Sequence, residues 1–291
     1  MRLKTVLGLF LTLLFLILFL IVVPLEEIVL DLSRISVLDA TMSLVLYTLS
    51  QVVRAVRWRL LIGSVSLRDC FLISSANVFL NNLLPARTGE LSWFYYTRKA
   101  GVSLGLSVWS FLIVRIYDLG GMACVLMLSF LYLKAPWLVI PACVLVLLLA
   151  LSVPELHRLI PRKGRMVEVR TFLKENMSGG LSAVVLMLSV ITFVLKFLSI
   201  YLVTSGVWGV DPVRSLVAFT GGELTTVLPV HGFGGYGTYE AGFLIPLKMT
   251  GVDLETALKA GFTAHSFLLF ASAIFGLPSM LFLHTLYRRS P

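Results

Sequence analysis

Residues 181–204 read LSAVVLMLSVITFVLKFLSIYLVT, and the only charge in the stretch is Lys196. A helix needs about 20 apolar residues to cross the hydrocarbon core of a bilayer. One that is apolar on every face must be buried in a large core or in lipid. The stretch therefore predicts a membrane span, and the rest of the chain agrees. Of the 291 residues, 58% are apolar and 13% charged, and the mean hydropathy is +0.96. An average soluble domain has roughly 45–50% apolar and about 25% charged residues. A soluble enzyme, a disordered chain and a nucleic-acid-binding domain are excluded as main readings. The excess of Lys and Arg, 24 against 15 acids, belongs to cytoplasmic loops, not to a nucleic-acid partner.

Outward from 181–204, the same reading gives six full spans, at roughly 5–24, 37–53, 105–133, 135–153, 181–204 and 255–286. The run after Met1-Arg-Leu-Lys lacks a small-x-small cleavage site, so it is expected to be a retained first helix. Two shorter apolar segments, 69–84 and 214–228, each lead into a polar turn bearing Gly or Pro. They predict re-entrant hairpins, because irregular backbone at membrane depth survives only where protein or a water-filled cavity surrounds it. The expected fold class is an all-α, polytopic integral membrane protein forming one membrane domain over 1–291. Cys70, Cys124 and Cys143 all lie in apolar runs and form no CxxC pair, so no disulfide framework or zinc site is expected.

Charge orients the layout. With both termini cytoplasmic, 16 of the 24 basic residues fall inside, including Arg54, Arg57, Arg59 and the six of the basic loop 154–180. Arg34, Lys134, Arg214, Lys248 and Lys259 fall outside. This is the positive-inside pattern of a multi-pass cell (inner) membrane protein. A lone crossing by 69–84 would put the basic loop outside and is rejected.

The chain also repeats itself. Leu84-Pro85-Ala86-Arg87 is similar to Leu228-Pro229-Val230-His231, and each is followed by a glutamate, Glu90 or Glu240. Eleven residues past each glutamate begins a Gly-Val-x-Leu motif, Gly101–Leu104 and Gly251–Leu254; fourteen past each of these glycines stand Arg115 and His265. Repeat 1 covers about 5–133 and repeat 2 about 135–286. Three spans per half make the second half inverted, as in many transporters whose broken helices meet near the midplane.

Asn82-Leu-Leu-Pro-Ala-Arg-Thr-Gly-Glu90 and Pro229-Val-His-Gly-Phe-Gly-Gly-Tyr-Gly-Thr-Tyr-Glu240 resemble motifs of the flippase-like membrane domain of lysylphosphatidylglycerol synthases. The resemblance covers about residues 5–286. It implies an inner-membrane protein that acts on lipids, in some members by moving a charged lipid between leaflets. The synthases carry a soluble aminoacyl-transferase domain after the membrane part. This sequence ends at Pro291, so lysyl transfer is not expected, and His231 departs from the family's plain Pro-Gly-Gly form.

Charges inside spans are costly, about 2.5–3.5 kcal/mol each on insertion scales, which singles out Arg87, Glu90, Arg115, Asp118, Lys196, Glu223, His231, Glu240 and His265. Arg115 and Asp118 share a helix face. Either they neutralise each other, or Arg115 grips a phosphate with its planar fork while Asp118 orients it. Arg87 lies at the tip of the first hairpin, beside the positive end of the helix that starts near Glu90. Either it holds an anion there or it pairs with Glu90; the two are compatible. Gly234 and Gly235 belong to a glycine-rich turn that fits a phosphate nest or a tight packing turn. It is no Walker loop. His231 and His265 stand at the repeat positions of Arg87 and Arg115, where a titratable ring permits proton coupling through Glu240 or Glu223. Lys196 snorkels or pairs with an acid.

No catalytic, cofactor or metal motif is found, so no enzymatic activity is expected. The leading expectation is a carrier that moves an anionic lipid, a phospholipid or a polyprenyl-phosphate-linked one, between leaflets. Arg87, Glu90, Arg115, Asp118, His231, Gly234, Gly235, Glu240 and His265 would form the substrate site. A small-anion or metabolite carrier and a membrane-embedded lipid headgroup transferase are the alternatives. The oligomeric state, the headgroup, the direction and the coupling ion are not written in the sequence.

Overall fold

The computed structural model describes residues 2–163, 166–226 and 233–287, and every regular element among them is helical. Helices α1 (Arg2–Val22), α2 (Leu25–Ser33), α3 (Val37–Ile62) and α4 (Leu67–Leu83) lead to a 3-10 turn, Pro85–Glu90. Then follow α5 (Leu91–Lys99), α6 (Leu104–Lys134), α7 (Val139–Ser152), α8 (Met166–Asn176), α9 (Gly179–Trp208) and α10 (Pro212–Thr225). A second 3-10 turn, Phe233–Gly235, precedes α11 (Thr238–Met249) and α12 (Leu254–Tyr287).

Local chemistry sets the helix ends. The Ser103 hydroxyl caps α6 by accepting from Leu106 N–H, and Asp211 caps α10 by accepting from Val213 and Arg214, with Pro212 at the first helical position. The two Gly-Val motifs end α5 and α11 in the same way. Gly101 and Gly251 take φ of 83° and 88°. Val102 N–H returns to the Thr97 carbonyl and Val252 N–H to that of Leu247, while the glycine N–H groups bond Arg98 and Lys248 carbonyls. Each is a Schellman stop, which glycine makes without a Cβ penalty.

Among the described residues, four stretches are long and apolar enough to cross a bilayer: Leu104–Met127, Pro136–Arg158, Gly179–Trp208 and Leu254–Tyr287. They lie on four of the six expected spans. The 5–24 segment falls on α1, whose described apolar part is Thr12–Val22. The 37–53 segment falls on α3, which runs on to Ile62 and so carries Arg54, Arg57 and Arg59 within a helix. The short segments at 69–84 and 214–228 are α4 and α10, of 17 and 14 residues. Pro136–Arg158 is almost wholly unburied by protein; Trp137, Ile140, Leu145 and Leu149 all point outward. A continuous apolar surface of this size is stable against lipid, not water. The basic loop 154–180 contains α8, whose Phe172 and Leu173 are buried, and Arg170 closes the segment by donating to the Ile160 carbonyl at 3.0 Å.

The chain divides into two compact units. The first comprises Met1–Ser50, Leu72–Trp93 and Val194–Pro291; the second comprises Gln51–Phe71 and Phe94–Phe193. Each draws on both sequence halves.

The first unit is built on close backbone contacts. A Cβ on Gly221 or Gly242 would overlap the other residue's carbonyl, so α10 and α11 touch backbone to backbone. The Tyr239 ring lies directly on Gly222, and Gly276 of α12 sits against Phe79 and the Ser75 carbonyl of α4. Small residues permit such approach where no hydrophobic force drives helices together in lipid. Ala257, Ala260, Gly261, Ala264 and Ala271 give α12 a buried small-residue face. Phe19 of α1 stacks on Phe262 of α12 at 4.7 Å. Lys259 of α12 reaches Glu27 of α2 at 2.5 Å and pairs with Glu255 of its own helix at 2.6 Å.

The second unit is organised around α6. Gly121 lets Ser189 of α9 approach, Tyr117 and Ser182 hydroxyls meet at 2.6 Å, and Phe111 packs against Trp58 and Phe94.

Gly242→Ala should lower stability by about 2 kcal/mol, the scale of overpacking a tight contact. Gly105→Ala, which meets nothing within 4 Å, should change it by less than about 0.5 kcal/mol. Thermal melts of the two variants in one detergent test this; equal melting temperatures would refute the backbone contact.

Candidate functional site

The first unit holds most of the candidate residues. Its two 3-10 turns, Pro85–Glu90 and Phe233–Gly235, pack against each other and against α1. Asn77 of α4 anchors the first turn by donating to the Gly89 carbonyl and the Ser92 hydroxyl, both at 3.1 Å. Gly89 lies so close to the α4 backbone that a Cβ there would overlap Leu80 and Asn81. Arg87, at the turn's tip, has φ 57° and is the one non-glycine residue of positive φ among the described residues. Such backbone in a bulky residue costs of order 1–3 kcal/mol and clusters at functional sites. The Arg87 guanidinium meets Glu90 at 2.5 Å. Its Nε is buried and has no hydrogen-bond partner among the described residues. Of the two roles expected for Arg87, the pair with Glu90 is present.

In the second turn Gly234, Gly235 and Gly237 all take positive φ, from 62° to 86°, which explains glycine at each. Glu240 lies three residues on, fully buried, with Oε2 accepting Gly237 N–H at 2.7 Å. Its Oε1 is 2.7 Å from His265 Nδ1 on α12. The His265 ring is stacked on Tyr239 at 4.5 Å and flanked by Tyr236 at 4.8 Å. The Tyr236 hydroxyl reaches Ser266 at 3.2 Å, and Thr12 of α1 donates to the Tyr236 carbonyl at 3.4 Å. Behind Tyr239, Lys196 of α9 holds both Glu223 oxygens at 2.8 Å. His231 lies outside the described residues.

A cavity of about 610 Å³ opens beside this group. Leu14, Phe15 and Phe19 of α1, Leu244 and Ile245 of α11, and Leu258 of α12 line its walls; Glu240, Thr225 and Thr238 are its polar members. Hydrocarbon walls with a few convergent polar groups are the usual composition of a ligand site.

Arg115 and Asp118 belong to the second unit. Asp118 takes its hydrogen bonds from Arg57 of α3, through Nη1 and, at 3.3 Å, through Nη2. Arg57 Nη1 also donates to Ser189 at 2.5 Å. Arg57 is fully buried. Arg54 and Arg115 act on Asp118 electrostatically, and the Arg115 guanidinium stands 4.9 Å from the Phe111 ring centre. The sequence reading paired Asp118 with Arg115 and left Arg57 in a cytoplasmic loop. The signal for Arg57 was its helical register with Arg54 three residues back, on a helix that does not end at residue 53. Tyr236 and Tyr239 also went unread, because an aromatic beside glycines carries no spacing signature. Asp118→Asn strands the buried Arg57 charge and should cost roughly 3–5 kcal/mol. Adding Arg57→Met should recover much of that loss, as read by thermal melting in detergent.

A family model of the lysylphosphatidylglycerol synthase transmembrane region matches residues 5–276, nearly the whole chain. Comparison with curated proteins gives no match. The matched range takes in both glycine-bearing turns, the cavity and the buried ion pairs of both units. With its long apolar helices, the chain is a multi-pass membrane protein, and it belongs to the lysylphosphatidylglycerol synthase transmembrane-region family.

Proposed function

We propose that this protein moves an anionic membrane lipid between the two leaflets of the cell membrane, with the basic segment 154–180 and both termini on the cytoplasmic side. The observation that carries the reading is the cavity of the first unit. Its walls are hydrocarbon, and its polar members, Glu240, Thr225 and Thr238, are few. A ligand matching that surface has an apolar chain and a polar end, which describes a lipid better than a small soluble anion. The family supports an activity on lipids.

In this mechanism Arg87 binds the phosphate. Its Nε donor is available in a buried setting, where charge-assisted hydrogen bonds are strong, and Glu90 fixes the guanidinium plane. The strained tip of the first turn is held by Asn77 and Gly89, which fixes the backbone that carries the arginine. Gly234 and Gly235 allow the second turn to approach the lipid closely. Inverted repeats of this kind switch access by rocking one part against another.

The test is mass spectrometry of lipids that co-purify in a gentle detergent. Wild type should enrich one anionic lipid, and Arg87→Gly should lose at least about tenfold of that enrichment, equivalent to the about 1.4 kcal/mol of one charge-assisted contact. Glycine removes the charge and relieves the positive φ, so the loss cannot come from added strain. Equal bulk lipid in both samples would overturn the lipid reading and favour a soluble anion.

A further inference from the structure

Among the described residues of the first unit, each buried charge except that of Glu240 has a partner of permanent opposite charge. Lys196 and Glu223 cancel as a bidentate pair, and Arg87 and Glu90 cancel across the first turn. Six residues before His265 on α12, Lys259 is shared among Glu27, Asp31 and Glu255. Glu240 remains, 1% exposed. One oxygen is held by a neutral amide, Gly237 N–H, and the other by His265 Nδ1. The other ring neighbours are Tyr239, whose hydroxyl is buried beside Glu223 and Glu240 without a well-formed hydrogen bond, and Tyr236, bonded to Ser266. The contact from α1 is the neutral Thr12. An isolated carboxylate here would cost several kcal/mol. One proton on the Glu240–His265 pair removes that cost by making the pair neutral overall.

We propose that Glu240 and His265 form the proton-binding site that couples lipid movement to a proton gradient. The inference rests on the leaflet-transfer reading for its purpose and on the geometry for its chemistry. In the tautomer that donates from Nδ1 to Glu240, the incoming proton forms an N–H bond at Nε2 and leaves an imidazolium against a carboxylate. On release that N–H bond breaks and the proton passes to water. Gly235 packs against this edge of the ring, where a Cβ would stand 3.0 Å from Nε2 and crowd the proton-accepting atom. Glu240 meanwhile lines the cavity. The protonated pair is stable shielded from water. The deprotonated pair carries a net negative charge that needs water, so losing the proton favours a hydrated, open cavity. A ligand that binds two conformations unequally shifts their populations, and here that ligand is the proton.

Infrared difference spectra of the full chain in phosphatidylglycerol nanodiscs, titrated from pH 9 to pH 5, test the site. The wild-type spectrum minus that of His265→Gln should show one imidazole gaining a proton. The midpoint of that signal should move by about one pH unit or more in Glu240→Gln. Glutamine preserves the acceptor for Gly237 N–H, and a matched melting temperature would show that the variant folds. A flat difference signal, or a midpoint indifferent to Glu240→Gln, overturns the site. Vesicles holding fluorescent phosphatidylglycerol test the coupling. A gradient of two pH units should change the wild-type transfer rate at least fivefold and leave any Glu240→Gln rate unchanged. Wild-type transfer that ignores the gradient overturns coupling and leaves leaflet transfer standing. A wild type that moves no lipid yet titrates as expected overturns leaflet transfer and supports the proton site.

Discussion

Taking an ionised side chain out of water costs several kcal/mol even after the protein relaxes, and the cost is recovered only by an opposite charge with good hydrogen bonds. That constraint accounts for the placement of the buried charged groups described above. Arg57 meets Asp118, Lys196 meets Glu223, and Glu240 meets His265, each between two different helices. In hydrocarbon, apolar side chains gain nothing by leaving lipid for protein. These pairs and the close backbone contacts therefore specify which helix lies beside which.

The glycine contacts and the ion pairs depend on each other. Gly221 and Gly242 allow α10 and α11 to touch, and Gly222 admits the Tyr239 ring. With Tyr239 so placed, its ring forms the platform on which His265 stacks. His265 is then in reach of Glu240, which is itself aimed by the Gly237 amide at the start of α11. A methyl group added at 221 or 242 would separate α10 from α11 and so disturb a hydrogen bond it does not touch.

Much of this was legible in the sequence because span length and charge follow directly from the bilayer. The segments at 105–133, 135–153, 181–204 and 255–286 needed only hydropathy and length. Buried charge was also conspicuous, and Glu240, His265, Lys196 and Glu223 stood out by cost alone. Which of them pairs with which did not. Pairing is decided by helix contacts between distant segments, and one chain without those contacts cannot distinguish Arg57 from Arg115 as the partner of Asp118. The strain at Arg87 was equally hidden, because a positive φ in arginine has no compositional signature, whereas the glycines of the second turn announced theirs.

The two sequence halves place different bases at corresponding positions, and the difference bears on how charge is managed. Arg115 in the first half answers to His265 in the second, and Glu90 to Glu240. Arginine does not release its proton in proteins. A glutamate bonded to arginine, as Glu90 is to Arg87, therefore remains part of a constant pair. At Glu240 the partner is instead a histidine, His265 Nδ1 at 2.7 Å, a side-chain type able to take up and release a proton. In the proposal above that exchange decides the charge of the pair, at the edge of the hydrocarbon-walled cavity that Glu240 lines.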